Sequence, residues 1–357
     1  MYGAKGTPRG SPSVDKMTKA SAFENAIIKR VGRNTFEAAP KISVVIPAYN
    51  AAEHIGDALK SVTAQKFREY EVIVVNDGSP DTEKFERAIR DHLENITYIR
   101  QHNAGAGVAR NTGIAAARGE IIAFLDADDV WLPDFLTSQY VFLGRNSYDM
   151  VYCDAFLMGL TTAYRRTFME TAPSHGEATF EAILDMRCNV ITSGTMARKQ
   201  AIIDAGWFET ERVRAHDFHL WLRMAKNGAR IGYQKKQLLK YRVHLDSLSG
   251  DSVSRVEREI NAFERVRSSI ELNEEQGALV ERRIAGLEAD LAVEQGKAFL
   301  LQGDYHEAAV AFRVANKHRH SLKLSLITLL ARVAPATLLK FYRSARSGDI
   351  ALVPKHN

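Results

Sequence analysis

The sequence predicts an α/β fold, with a mostly parallel sheet flanked by helices and a C-terminal helical extension. Three observations predict it: apolar runs that end abruptly in polar or acidic residues, loops with Gly and Pro after those runs, and helical apolar spacing between them. The most informative run is Ile121 to Leu125, which ends in Asp126, Asp128 and Asp129. A strand covered on both faces loses its alternation, and sheets of such strands bind ligands beyond their carboxyl ends.

The elements follow in order. Lys41 to Asn50 reads as a first strand running into a loop with Pro47, Tyr49 and Asn50; Ile55, Leu59 and Val62 then step at helical spacing. Tyr70 to Asp81 is a second strand that releases Asp77, Gly78 and Ser79 at its end. A third, Ile96 to Arg100, leads through Asn103, Gly105 and Gly107 into a helix with Arg110 and Gly113. Right-handed crossovers between parallel strands collect these polar residues on one edge of one sheet. Glycines that open a helix also suggest a dinucleotide fold, but the spacing is G-x-G-x5-G after a third strand, not G-x-G-x-x-G after the first.

The residue types narrow the chemistry. Asp126 and Asp128, on either side of Ala127, suit a hard divalent cation, Mn²⁺ or Mg²⁺, held against phosphates. An Asp-x-Asp is also ordinary turn and cap chemistry, and Asp129 is read as the cap of a helix beginning near Trp131-Leu132-Pro133. Asp77-Gly78 is by residue type a turn pair.

Taken in this order, the motifs from about Ile42 to Ser249 resemble the family 2 inverting glycosyltransferases, whose GT-A fold is a nucleotide-sugar-binding, Rossmann-like sheet. The resemblance implies that Pro47, Tyr49, Asn50, Asp77, Ser79 and Asn103 bind the nucleotide sugar, with Asp77 at the base. It places Arg110 at the nucleotide or its diphosphate, Asp126 and Ala127 near the ribose and metal, and Asp128 on the metal itself. Asn189 to Lys199 resembles the glycine-containing loop that faces donor sugar and acceptor, which singles out Gly194. In Val213 to Arg223, Asp217 falls on the catalytic base, whereas His216 stands where the family usually has Glu. That departure puts in doubt any acceptor contact by the preceding residue. A carboxylate bonded to the acceptor hydroxyl takes its proton late in one inverting displacement; Asp217 also reads as a helix N-cap, and the two roles are compatible. Tyr241 to Ser249 resembles the closing motif, in which a histidine returns to the metal or diphosphate, making His244 the candidate second metal ligand.

The rest of the chain bounds the setting. Residues 1–39, with Gly, Pro and Ser early, are expected to be a partly disordered extension; 40–250 form the catalytic domain, 251–315 a helical extension and 316–357 a basic amphipathic tail. Gly296 to Phe312 resembles a single tetratricopeptide-like hairpin, too short for an independent array. No apolar run reaches the roughly 18 to 20 residues that cross a bilayer. Cys153 and Cys188 form no metal or disulfide pattern, which favours a reducing cytosol. Ala308 to Gly348 holds eight Lys or Arg and no Asp or Glu, against +5 for the whole chain, so everything else sums to −3. With Leu322, Leu326, Leu329 and Val333 at helical spacing, residues 316–346 read either as a surface for an anionic membrane or as a helix docked on the core. Nucleic acid is not an expected partner, because no stacking series or known module accompanies the charge.

These features lead to one expectation. The chain transfers a sugar, with a metal, from a nucleotide-diphosphate donor (UDP-linked) to a glycan or lipid-linked acceptor at the inner membrane face, in surface-polysaccharide synthesis. The alternative is a noncatalytic sugar-nucleotide-binding or scaffold protein that works through its helical tail.

Overall fold

The computed structural model describes residues 27–31, 39–159, 166–211, 216–243 and 252–350, with side chains from 39 to 343 within those ranges. The chain divides into two compact units: residues up to Phe156 with Thr167–Tyr241, and Leu157–Arg166 with Arg242 onward.

The first unit is built on one sheet. Its strands are β1 (Ile27–Val31), β2 (Ile42–Ala48), β3 (Tyr70–Asn76), β4 (Thr97–Gln101), β5 (Ile121–Phe124), β6 (Val130–Trp131), β7 (Met150–Gly159), β8 (Thr195–Arg198) and β9 (Ile231–Val243). Among the described residues they lie in the order β1-β4-β3-β2-β5-β8-β7-β9-β6. β2 to β5 form the parallel half, with Ile42 opposite both Tyr70 and Ile121. β1, β6 and β8 pair antiparallel with β4, β9 and β5 respectively. β1 comes from the segment expected to be an extension, and it covers the outer edge of β4.

The helices of this unit are α1 (Ile55–Thr63), α2 (Thr82–Ala88), α3 (Ala106–Ala116), α4 (Phe135–Arg145), α5 (Phe168–Thr171), α6 (Phe180–Leu184), α7 (Lys199–Asp204) and α8 (His216–Lys226). Every residue of β2, β3 and β5 is buried, as the continuous apolar runs require. α3 lies so close to the sheet that a Cβ on Gly113 would stand 2.4 Å from Val45 Cγ1. Leu220, Trp221 and Met224 of α8 are core residues, as their helical spacing indicates.

One expectation fails locally. The helix after Asp129 begins at Phe135, with Asp134 at its N-cap, and not near Trp131. Val130 and Trp131 find ladder partners in Lys240 and Leu239 and become β6, and the Trp131 N–H donates to Ser61 Oγ. Asp129 is buried and is not the N-cap of α4.

The second unit contains α9 (Ser252–Ser269), α10 (Glu274–Gln302), α11 (Tyr305–Arg319), α12 (Leu322–Val333) and α13 (Pro335–Ile350). Asn273 and Gln276 form a capping box at the start of α10, and Gly303 closes it in the left-handed region, φ 93°. A Cβ on Gly296 would meet the Phe312 ring at 2.7 Å, so glycine there lets α10 and α11 pack closely. Leu300, Ala308, Phe312, Ala315, Leu324, Ala331 and Leu338 make the core of this helical array.

Candidate active site

The parallel strands deliver the predicted residues to one edge of the sheet. Pro47 ends β2, buried, and is followed by Tyr49, 53% exposed, and by Asn50 at positive φ. The Asn50 N–H donates to Ser79 Oγ at 3.0 Å, joining the loops after β2 and β3. Asp77 is buried and accepts from Gln101 Nε2 at 2.7 Å and from the Ala104 and Gly105 N–H groups at 2.9 and 2.8 Å. It thereby ties the β3 end to the loop holding Asn103. Gly78 is required at this junction, since its φ is 65° and a Cβ would stand 2.6 Å from Asn103 N.

At the end of β5 the carboxylates diverge. Asp126 and Asp128 remain partly exposed, whereas Ala127 and Asp129 are buried. Arg110, on α3 and only 5% exposed at its side chain, donates Nη2–H to Asp126 Oδ1 at 2.5 Å and lies over the Phe208 ring, 5.5 Å from its centre. Its Nη1 is 3.2 Å from His216 Nε2. A guanidinium only donates, so Nε2 is the acceptor and the neutral imidazole carries its proton on Nδ1.

Asp217, in the first turn of α8, completes the group. Its Oδ2 accepts from Thr192 Oγ1 at 2.7 Å and its Oδ1 from its own neighbour, the Phe218 N–H, at 2.8 Å. His216 Nδ1 lies 3.9 Å from Asp217 Oδ1, too far for a hydrogen bond, and is buried without a hydrogen-bond partner among the described residues. Ser193 closes the circuit, because its Oγ accepts the Asp126 N–H at 3.0 Å. Asp126, Arg110, His216, Asp217, Thr192 and Ser193 thus form one ring of neighbours.

The tight turn at Thr192–Gly194 is held from behind. Trp131 Nε1 donates to the Ser193 carbonyl and Gln139 Nε2 to the Gly194 carbonyl, both at 2.8 Å. Gly194 is buried, and a Cβ there would sit 3.3 Å from Cys153 and Leu239. Asn111 fixes the other side by donating to the Phe208 carbonyl and accepting the Phe208 N–H, at 2.8 and 3.0 Å.

Burial pushes the His216 imidazole below its ordinary value, and the Arg110 cation pushes it further, so the ring is neutral at neutral pH. Burial would raise the Asp217 carboxyl; His216, Arg110, the Thr192 hydroxyl and the Phe218 N–H outweigh it and hold it below the usual carboxylate range. Asp217 is therefore ionised, and its side chain, 33% exposed, is open to an incoming hydroxyl. Tyr241 stands in the field of Asp129, Asp126, Asp128 and Asp217; burial first and these acids next push its phenol well up, so it remains a neutral hydrogen-bond donor.

Among the described residues no group of three or more His, Cys, Asp and Glu side chains is arranged around a cation. The residues that could hold one are Asp126, whose Oδ1 Arg110 engages, and Asp128, both partly exposed at the end of β5. Such a set suits Mg²⁺ or Mn²⁺, which one or two carboxylates hold together with phosphate oxygens of a substrate. His244 lies outside the described residues.

Thr192, Ser193, Phe208 and Tyr241 are the residues that the motifs did not single out. Two hydroxyls beside Gly194 and an aromatic at the start of the closing motif were the available signals. The Phe208 contact to α3 has none, because its partner Asn111 is remote in sequence.

A sheet that converges acids, an arginine and close-packed glycines on its carboxyl edge has the features of a ligand-binding α/β domain. Residues 43–203 match the model of Glycosyl transferase family 2. Residues 43–203 are a glycosyltransferase family 2 domain, and the fold of the chain is of the GT-A type. An uncharacterized glycosyltransferase of Rickettsia typhi is 27% identical over 229 residues, 63% of this chain and 70% of the relative. A Bacillus subtilis protein, provisionally named a teichuronic acid biosynthesis glycosyltransferase, is 28% identical over 59% of this chain and 82% of its own length. A mannosyltransferase of Pyrobaculum calidifontis, solved with GDP-Man and Mn²⁺, shares the fold with TM-score 0.57 at 21% identity, covering 95% of this chain and 92% of that one. The S. aureus TarS 1-349 structure with UDP-GlcNAc gives TM-score 0.52 at 20% identity, covering 86% and 92%.

Proposed function

We propose that the chain is a metal-dependent inverting glycosyltransferase that moves a hexosyl or N-acetylhexosaminyl group from a UDP-type donor to a hydroxyl of a glycan or lipid-linked acceptor, with Asp217 as general base. The observation that carries this reading is the ring joining Asp126 to Asp217 through Arg110 and His216 on one side and Ser193 and Thr192 on the other. It couples the strand-end acid of the donor side to an exposed, ionised carboxylate on the acceptor side.

Each residue has a task in that scheme. Exposed Tyr49 offers a ring face to the base, and Pro47, Asn50 and Ser79 shape the pocket beside it. Asp77, tied to Gln101, Ala104 and Gly105, would stand at the base, and Asn103 lies on the same loop. Asp126 and Ala127 face the ribose, and Gly194 belongs to the loop that faces the donor sugar and acceptor. Asp128, with Asp126 and His244, would hold Mn²⁺ or Mg²⁺. The cation supplies charge neutralisation for the departing diphosphate. Thr192 and the Phe218 N–H fix the Asp217 carboxylate so that a lone pair is free for the acceptor hydroxyl, and positioning contributes much of the acceleration.

The B. subtilis relative's provisional assignment to teichuronic acid biosynthesis supports an acceptor in polysaccharide synthesis. Release of nucleoside diphosphate from UDP-, GDP- and dTDP-sugars with Mn²⁺ or Mg²⁺ tests the proposal on wild type, Asp128→Ala and Asp217→Asn. Turnover of one donor that is lost with chelator and in both variants is expected, with Asp217→Asn reduced by about 10² to 10⁴. Full turnover in Asp217→Asn, or no metal-dependent binding of any donor, would sink it.

A further inference from the structure

α12 presents two apolar faces, only one of which is packed. Leu324 and Ala331 are buried, and Ile327 and Leu330 pack partly against the same core. Leu322, Leu326, Leu329 and Val333 are instead 89, 56, 53 and 68% exposed. At about 3.6 residues per turn these four fall within roughly 60° of arc, nearly opposite the buried pair. Lys323 and Arg332, both exposed, stand about a quarter turn to either side of that stripe. A helix whose second face served only solvent would not carry four large aliphatic side chains in register.

We propose that this outward stripe of α12 seats the second unit on an anionic lipid surface, with the leucines in the acyl boundary and the flanking cations among the headgroups. Long basic side chains beside an apolar strip keep their charge at headgroup level while the strip enters. Charge decides between possible occupants. The stretch Ala308 to Gly348 has eight Lys or Arg and no Asp or Glu, so the same face of a second copy would bring cation against cation. An anionic leaflet complements it, at about 1 kcal/mol per basic residue near the surface. No helix among the described residues is long and apolar enough to cross the bilayer, so α12 lies on the surface and does not span it.

Flotation of the full chain with phosphatidylcholine vesicles, with and without phosphatidylglycerol, tests the proposal independently of sugar transfer, so its failure is distinct from failure of the enzymatic assignment. The expected result is binding that requires phosphatidylglycerol and weakens with salt. It should fall about tenfold or more in Leu326→Ser/Leu329→Ser, whose exposed positions leave the fold intact, and also in Lys323→Glu/Arg332→Glu. Far-UV circular dichroism checks that both variants are folded. No binding to phosphatidylglycerol vesicles, or binding unchanged by the leucine substitutions, overturns the proposal. Loss of a stable dimer in the leucine variant, or RNA binding in place of vesicle binding, assigns the stripe to another partner and overturns it as well.

Discussion

Gly107 and Glu209 approach each other so closely that a Cβ on Gly107 would stand 2.5 Å from the Glu209 carbonyl oxygen, with His216 Cδ2 next at 3.1 Å. The missing side chain is what lets α3 carry Arg110 to within reach of His216. Gly107→Ala is expected to destabilise the protein by about 1–3 kcal/mol through overpacking, and to lower turnover beyond what the loss of folded protein explains. Thermal unfolding with donor turnover at a temperature where both proteins are folded checks this.

Thr192→Val keeps the shape of a buried side chain and deletes one hydrogen bond to the Asp217 carboxylate. A bond to a charged group is worth about 1.5–3 kcal/mol. A fall in kcat of about tenfold to a hundredfold is therefore expected, with KM for the donor little changed. The acid limb of the pH–rate profile should also move to higher pH, because one of the groups that holds the Asp217 pKa down is gone. An unmoved profile would count against Asp217 as the titrating base.

His216 predicts a pH dependence of stability. Its folded value lies below the ordinary 6.5, so below that pH the unfolded chain binds more protons than the folded one. This contribution is complete above about 6.5 and is lost as pH falls through the depressed folded value. His216→Gln should remove that component and also lessen the lower-pH loss due to Asp217, because His216 is the largest of the influences that hold its folded value below 3.8. Chemical denaturation of the two proteins as a function of pH measures the difference.

Arg110→Lys retains the charge but cannot bond to Asp126 and His216 together in the same geometry. Turnover should drop about tenfold to a hundredfold, the worth of one charge-assisted bond. Steady-state kinetics decides; wild-type kcat would mean that the ring is not needed for the chemistry.

Much of the parallel half was legible because its signals are local. Apolar runs such as Ile121 to Leu125 and their terminal acids specify strand and edge within about ten residues of sequence. β1 was not, since Ile27–Val31 acquires its meaning only from pairing with β4. The start of α4 was misplaced for a similar reason: Val130 and Trp131 are claimed by Lys240 and Leu239, a tertiary contact that outweighs Asp129 as a cap. The strand-end positions of Asp126 and Asp128 could be read from the apolar run before them, whereas the Thr192 hydroxyl that holds Asp217 could not. Its role depends on the fold of the turn at Thr192–Gly194 against Trp131 and Gln139.

The placement of β1 bears on how the domain can be handled. Its antiparallel pairing with Tyr98–Gln101 occupies the backbone N–H and C=O groups on the free side of β4. A chain begun at Ser43, where the family match starts, and otherwise intact would bare that edge as a ready template for a neighbouring strand. Aggregation of such a fragment would then report a missing hem on the sheet, and retaining Ile27–Val31 should suppress it.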